Sequence, residues 1–169
     1  EGLLLRLQID HMKAAGTRNW HLMEPALEMV SGAYEEGLDV AFDVYPYDVA
    51  SRHLVGSFPA WMHAGGNREV MKRLADEDIR ERFKQDLREW QDGGDVHHPL
   101  EFQMDRIMVT DVDTEANEDA IGKTLDEIAA ERGGHPLDAV FDFIIEEQGH
   151  VDVALFSQDE ANVEKCLAH

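Results

Sequence analysis

Apolar and polar positions alternate along this chain in two rhythms, and the rhythms change at glycines and prolines. Residues 3–9 form a near-continuous apolar run broken only by Arg6 and Gln8, the pattern of a strand covered on both faces. From 23 to 36 the spacing becomes three-and-four, with Met23, Ala26, Leu27, Val30, Ala33 and Tyr34 on one helical face. Pro25 falls in the first turn, where a missing N–H costs nothing, and Gly37 follows as a left-handed cap. Residues 39–44 return to a strand pattern that Tyr45-Pro46-Tyr47 ends, because proline cannot join a ladder. Strand, loop, helix and strand in that order spell a βαβ unit with parallel strands and a right-handed crossover.

The remainder predicts a long connection over 48–66, helices over 69–75 and 77–90, and a loop over 95–103. A short strand over 106–109, a polar turn over 111–117 and helices over 125–131 and 136–148 come next. A strand over 151–156 follows, then a last helix entered through Ser157 and Glu160 as a capping box. The class is α/β. The elements divide into a βαβ part at 1–55, a helical segment at 56–105 and an α/β continuation at 106–169.

Composition changes this picture in three ways. The 169 residues suffice for a domain with a core, yet both ends look cut, as in a segment of a longer protein. Acidic residues number 36 against 15 Lys plus Arg, a formal charge of −21. That surface repels nucleic acid and anionic membranes; its spread along the chain argues against an acidic tail, and of the two readings left, an ordinary well-solvated surface and adaptation to high salt, the second is favoured. A single cysteine, Cys166, excludes an internal disulfide and a cysteine-only metal cage; it lies in an apolar helical stripe. No apolar run reaches the ~20 residues that span a bilayer, and no signal peptide is present, so the cytoplasm is the expected compartment.

Candidate chemistry gathers where the two N-terminal strands end. His11 closes the first, with the reading of metal ligand or acid/base set against a histidine satisfied by a backbone carbonyl. Lys13 can bind a carboxylate or phosphate, or be a surface lysine. Tyr45 and Tyr47 can donate to a substrate oxygen, or pack as half-buried aromatics. Asp43 either supports a neighbouring site group or lies on the polar side of the sheet, and Ser51 binds substrate or turns the chain. The His97-His98 pair reads as solvated, and the other histidines show no ligand spacing. No phosphate loop and no serine nucleophile elbow occurs.

Several blocks together resemble a known family. Ile9-Asp10-His11-Met12-Lys13-Ala14-Ala15-Gly16 with Asn19-Trp20 resembles the "I-S-H-x-K-x-x-G…N-[WF]-G" block of the N-acyl-D-amino-acid deacylases (D-aminoacylases) of the amidohydrolase superfamily. Asp43-Val44-Tyr45-Pro46-Tyr47 with Ala50, Ser51 and Leu54 resembles their "D-x-Y-P-Y-x-A-x-S-x-x-L" block. Phe58-Pro59-Ala60-Trp61 and Gly122-Lys123-Thr124-Leu125 with Ile128-Ala129 are similar to two further segments. Two positions depart from the pattern: Asp10 stands for serine, and His21 for glycine.

The resemblance implies a partial TIM-like (β/α) metal-dependent hydrolase barrel with an inserted, mainly helical subdomain at 56–105. It implies Zn2+ as cofactor, with His11 as a metal ligand and Lys13, Tyr45, Tyr47 and Ser51 holding the substrate carboxylate. The reaction implied is zinc-dependent hydrolysis of the amide of N-acyl-D-amino acids. A small-molecule substrate and the missing remainder of the barrel are the implied partners. The family's His-x-His pair, bridging cysteine, further histidine and catalytic aspartate are absent, so the isolated chain is expected to be inactive. The competing readings are a dihydroorotase- or hydantoinase-like cyclic amidohydrolase and a non-catalytic acidic α/β binding module.

Overall fold

A computed structural model describes residues 6–91 and 103–169. The elements are β1 (Arg6–Ile9), α1 (Met23–Glu35), β2 (Asp39–Phe42), β3 (Ala50–His53), α2 (Asn67–Leu74), α3 (Glu77–Gln91), β4 (Ile107–Val112), α4 (Leu125–Arg132), α5 (Pro136–Glu146), β5 (Val151–Leu155) and α6 (Glu160–Ala168). Short 3₁₀ turns link several of them. The expected loop over 95–103, with His97-His98 and the stop at Gly93-Gly94, lies almost wholly outside the described residues. Two compact units emerge. One comprises the chain up to Ala50 together with Phe156–His169, the other Ser51–Leu155.

The first unit is the βαβ motif with α6 added. β1 and β2 pair in parallel, Arg6 opposite Asp39 and Ile9 opposite Phe42. Met12, Met23, Leu27 and Cys166 form its buried centre, with Ile9, Ala26, Val30, Phe42 and Val44 packed around them. The thiol of Cys166 lies 3.3 Å from the sulfur of Met23, and burial pushes it up. Gly37 takes the left-handed conformation (φ 90°) at the end of α1, and Leu38 N–H bonds back to the carbonyl of Ala33.

Two expectations for this unit need correction. Tyr34 is 70% exposed rather than inward, and Leu7 is 56% exposed in a strand expected to be covered on both faces, because a two-stranded parallel sheet is too narrow to cover the whole apolar stripe. Ser157 is not a helix cap. Its carbonyl accepts from Gly16 N–H (2.7 Å) and the Trp20 indole (3.0 Å), and α6 starts at Glu160, with Asp159 rather than Ser157 at the N-cap position and no side-chain cap. Asn162 then donates to the carbonyl of Trp20 (2.8 Å), tying α6 to the loop after β1.

The second unit packs α2, α3, α4 and α5 with a three-stranded sheet in the order β3-β5-β4. β4 and β5 are antiparallel, with a register shift between Val109 and Asp111. Phe58, Phe83 and Phe141 meet edge to face, centroids 5.2–6.2 Å apart, at the centre of the core. β3 falls where a loop is expected. Its sequence, Ala-Ser-Arg-His, has no strand pattern of its own, and pairing with β5 makes it a strand. The capping box sits instead at Thr124 and Glu127, which begin α4. Among the described residues no helix is long and apolar enough to cross a membrane, and no closed barrel forms.

Candidate functional site at the ends of two parallel strands

The parallel register brings the C-terminal ends of β1 and β2 level, and the ladder runs one step beyond each. Asp43 N–H donates to Ile9 O (3.1 Å), and Met12 N–H donates to Asp43 O (2.8 Å). His11 lies in the turn between them with φ at 57°, a left-handed conformation uncommon outside glycine but tolerated by histidine. Four side chains from the two strand ends therefore share one lip.

Asp43 and His11 are the tightest pair. One oxygen of Asp43, Oδ1, accepts the backbone N–H of His11 at 2.7 Å and lies 3.0 Å from its Nδ1. The other, Oδ2, is 3.5 Å from the amide nitrogen of Gln8. These bonds, the backbone one foremost, hold the Asp43 carboxyl below the usual carboxylate range. The ring of His11 meets Tyr45 edge-on at 5.5 Å.

Lys13 and Tyr45 make the second pair. The ammonium donates to the Tyr45 hydroxyl at 3.4 Å and sits 5.1 Å from the ring centre. Tyr47 stacks on Tyr45 at 6.4 Å, and its carbonyl accepts from Gln158 (2.8 Å). Tyr47 is well exposed, Tyr45 half-buried. His11, Lys13, Tyr45 and Tyr47 thus come together. Ser51 is an exposed residue of β3 in the other unit.

Metal binding can be tested against the residues present. A ring whose Nδ1 faces a carboxylate presents Nε2 as a ligand, the usual arrangement of metal-bound histidine. Among the described residues no three His, Cys, Asp or Glu side chains group so as to hold a metal ion. Catalytic zinc takes three protein ligands as a rule, so His11 fits as one ligand and this chain does not complete the set.

The second unit holds two more His–Asp pairs that spacing did not reveal. His53 Nδ1 is 2.5 Å from Asp152, and His150 Nδ1 is 2.6 Å from Asp113. Both pairs, with Asp111, line a cavity of about 280 Å³. Strand pairing alone joins residues so far apart in sequence, and no local signal marks them.

The other residues that carry the family resemblance build structure. Phe58 is core, and the Trp61 indole donates to Asp86 (3.0 Å) under the guanidinium of Arg82. Gly122 turns with φ 87°, Thr124 caps α4 and Leu125 is fully buried.

No family model matches the sequence, and no curated protein matches it. Solved structures do. The chain superposes on N-acyl-D-glutamate deacylase from Bordetella bronchiseptica, complexed with zinc and a phosphonate mimic of the tetrahedral intermediate, with a TM-score of 0.56 at 20% identity. It superposes on a D-aminoacylase with a binuclear metal centre at 0.53 and 23% identity. A D-aminoacylase structure described as defining a novel subset of amidohydrolases gives 0.52 at 22% identity. Each match covers 97% of this chain and 24% of the other, so the chain spans about a quarter of the length of these structures. At this level of identity the likeness establishes the fold: a mixed helix and sheet segment of the kind found within amidohydrolase structures.

Proposed function

We propose that this chain is a central segment of a zinc-dependent amidohydrolase that hydrolyses the amide bond of N-acyl-D-amino acids. The observation that carries the reading is the shared lip, where two parallel strands deliver His11, Asp43, Lys13 and Tyr45 side by side. The fold of the chain as a whole resembles deacylase structures, one of them holding zinc and a reaction-intermediate mimic. Strand ends and the loops after them are where (β/α) barrels place their chemistry. On this reading Ser51–Leu155 is largely an insertion between barrel elements, and the rest of the barrel is the chain's first partner.

In the bound enzyme, zinc would lower the pKa of a coordinated water and polarise the acyl carbonyl. His11 would contribute its Nε2 to that ion, and the remaining ligands would come from outside this chain. Lys13 supplies a positive charge for the substrate α-carboxylate, and Tyr45 supplies a hydroxyl beside it. Tyr47 backs Tyr45 by stacking, and Ser51 takes a carboxylate-binding role on the strength of its place in the motif. Fixing the carboxylate on one side of the scissile amide leaves one handedness at the α-carbon aligned for attack. Asp10 and His21, next to these residues, bear on which side chain is preferred.

The test is made on the full-length parent protein: zinc content and hydrolysis of N-acyl-D-amino acids, wild type beside His11→Ala. Loss of both zinc and turnover supports the assignment. Unchanged zinc and turnover would reduce the motif to an echo of the fold and favour the binding-module reading. Preferential turnover of cyclic amides over linear N-acyl-D substrates would select the hydantoinase-like alternative.

A further inference from the structure

The carboxylate of Asp43 does more than pair with a neighbour. It reaches His11 twice through the same oxygen, once at the backbone N–H (2.7 Å) and once at Nδ1 (3.0 Å). The backbone contact anchors the left-handed turn at His11, so the carboxylate fixes where the ring begins. The ring contact fixes how it is rotated, and the edge of Tyr45 closes a third side. Gln8, reaching toward the free oxygen Oδ2 from within β1, restrains the carboxylate itself.

Protonation follows from donor and acceptor chemistry. An ionised carboxylate only accepts, so a short Oδ1 to Nδ1 contact requires the proton on Nδ1. In the neutral ring the lone pair then resides on Nε2. Were the proton on Nε2 instead, two lone pairs would face each other across 3.0 Å.

We propose that Asp43 is a positioning residue, locking His11 as the Nδ1–H tautomer with its Nε2 lone pair free for a divalent cation. The last clause rests on the reading of His11 as a metal ligand; the tautomer does not. Partners that orient a ligating histidine in this way are worth about 10- to 100-fold in metal affinity.

The experiment is nitrogen-15 NMR of the imidazoles in the 169-residue chain at alkaline pH, where rings are neutral, followed by titration with ZnCl2. The wild-type His11 is expected in the Nδ1–H form. Asp43→Ala, which leaves Nδ1 no carboxylate to donate to, is expected to move His11 to the Nε2–H form. The ring of His169, held 2.8 Å from the Ser31 hydroxyl in the same unit as Asp43, should stay unchanged and so certify the fold of the variant. Zn2+ is expected to perturb Nε2 of wild-type His11, with about tenfold or more zinc needed in Asp43→Ala. A wild-type Nε2–H ring, or a tautomer indifferent to Asp43→Ala, overturns the proposal. An Nδ1–H ring that ignores Zn2+ supports the positioning role and counts against the metal-ligand reading instead.

Discussion

Lys13 holds its ammonium 3.4 Å from the hydroxyl oxygen of Tyr45 and 5.1 Å from the centre of that ring. The two residues are 32 positions apart and meet only because their strands end together. The pair offers a charge and a hydroxyl to one anionic group. On the proposed function, Lys13→Ala in the full-length parent protein is expected to lower kcat/KM about 10- to 100-fold and Tyr45→Phe about tenfold, chiefly through KM. With substrates whose α-carboxylate is converted to an amide, both variants should match wild type. An equal loss on both substrates would rule out a carboxylate-binding role.

The isolated 169-residue chain should show no deacylase turnover, because the proposed function assigns it a single ligand, His11, and among the described residues no three-ligand group exists. Assay with and without added zinc checks this, and measurable turnover by the chain alone would refute it.

Glu147 organises the turn after β4. It is buried and accepts from the backbone N–H groups of Asp113 (2.8 Å) and Thr114 (2.9 Å), from the Thr114 hydroxyl and from the Asn117 amide (2.5 Å). Burial alone would raise its carboxyl, but these donors together hold it below the ordinary value of 4.5. A depressed carboxylate contributes stability that is present above the unfolded value and lost as pH falls through the folded one. Acidification below about pH 4.5 should therefore weaken Ser51–Leu155, and Glu147→Gln should flatten that dependence. Glu147→Ala, which strands several donors, should cost about 3 kcal/mol in urea unfolding.

Asp111 faces Asp152 directly across the β4–β5 ladder, a local instance of the charge of −21 carried by the whole chain. Opposed like charges destabilise a strand pair, and salt screens them. Thermal melts should show a higher Tm in molar KCl than in low salt, and Asp111→Asn should reduce the difference. Equal melting in both conditions would argue against adaptation to high salt.

The local grammar of this protein was legible. Apolar periodicity located both N-terminal strands, α1, α5 and β5, and glycine marked the end of α1, because these signals depend on residues close in sequence. His11, Lys13, Tyr45 and Tyr47 could be picked out as strand-end residues for the same reason. The sequence left Asp43 undecided between supporting a site and facing solvent. The parallel register decided it, by setting one carboxylate oxygen against the backbone nitrogen and the Nδ1 of a residue 32 positions away. β3 was illegible because its strand character lies in its neighbour, and the His53–Asp152 and His150–Asp113 pairs because strand pairing alone unites them. Ser157 looked like a cap, but its carbonyl is spent on Gly16 and Trp20, a contact across the chain. Short-range sterics and burial patterns are written along the chain. Which side chains share a lip is set by register, and register is a property of the folded pair of strands.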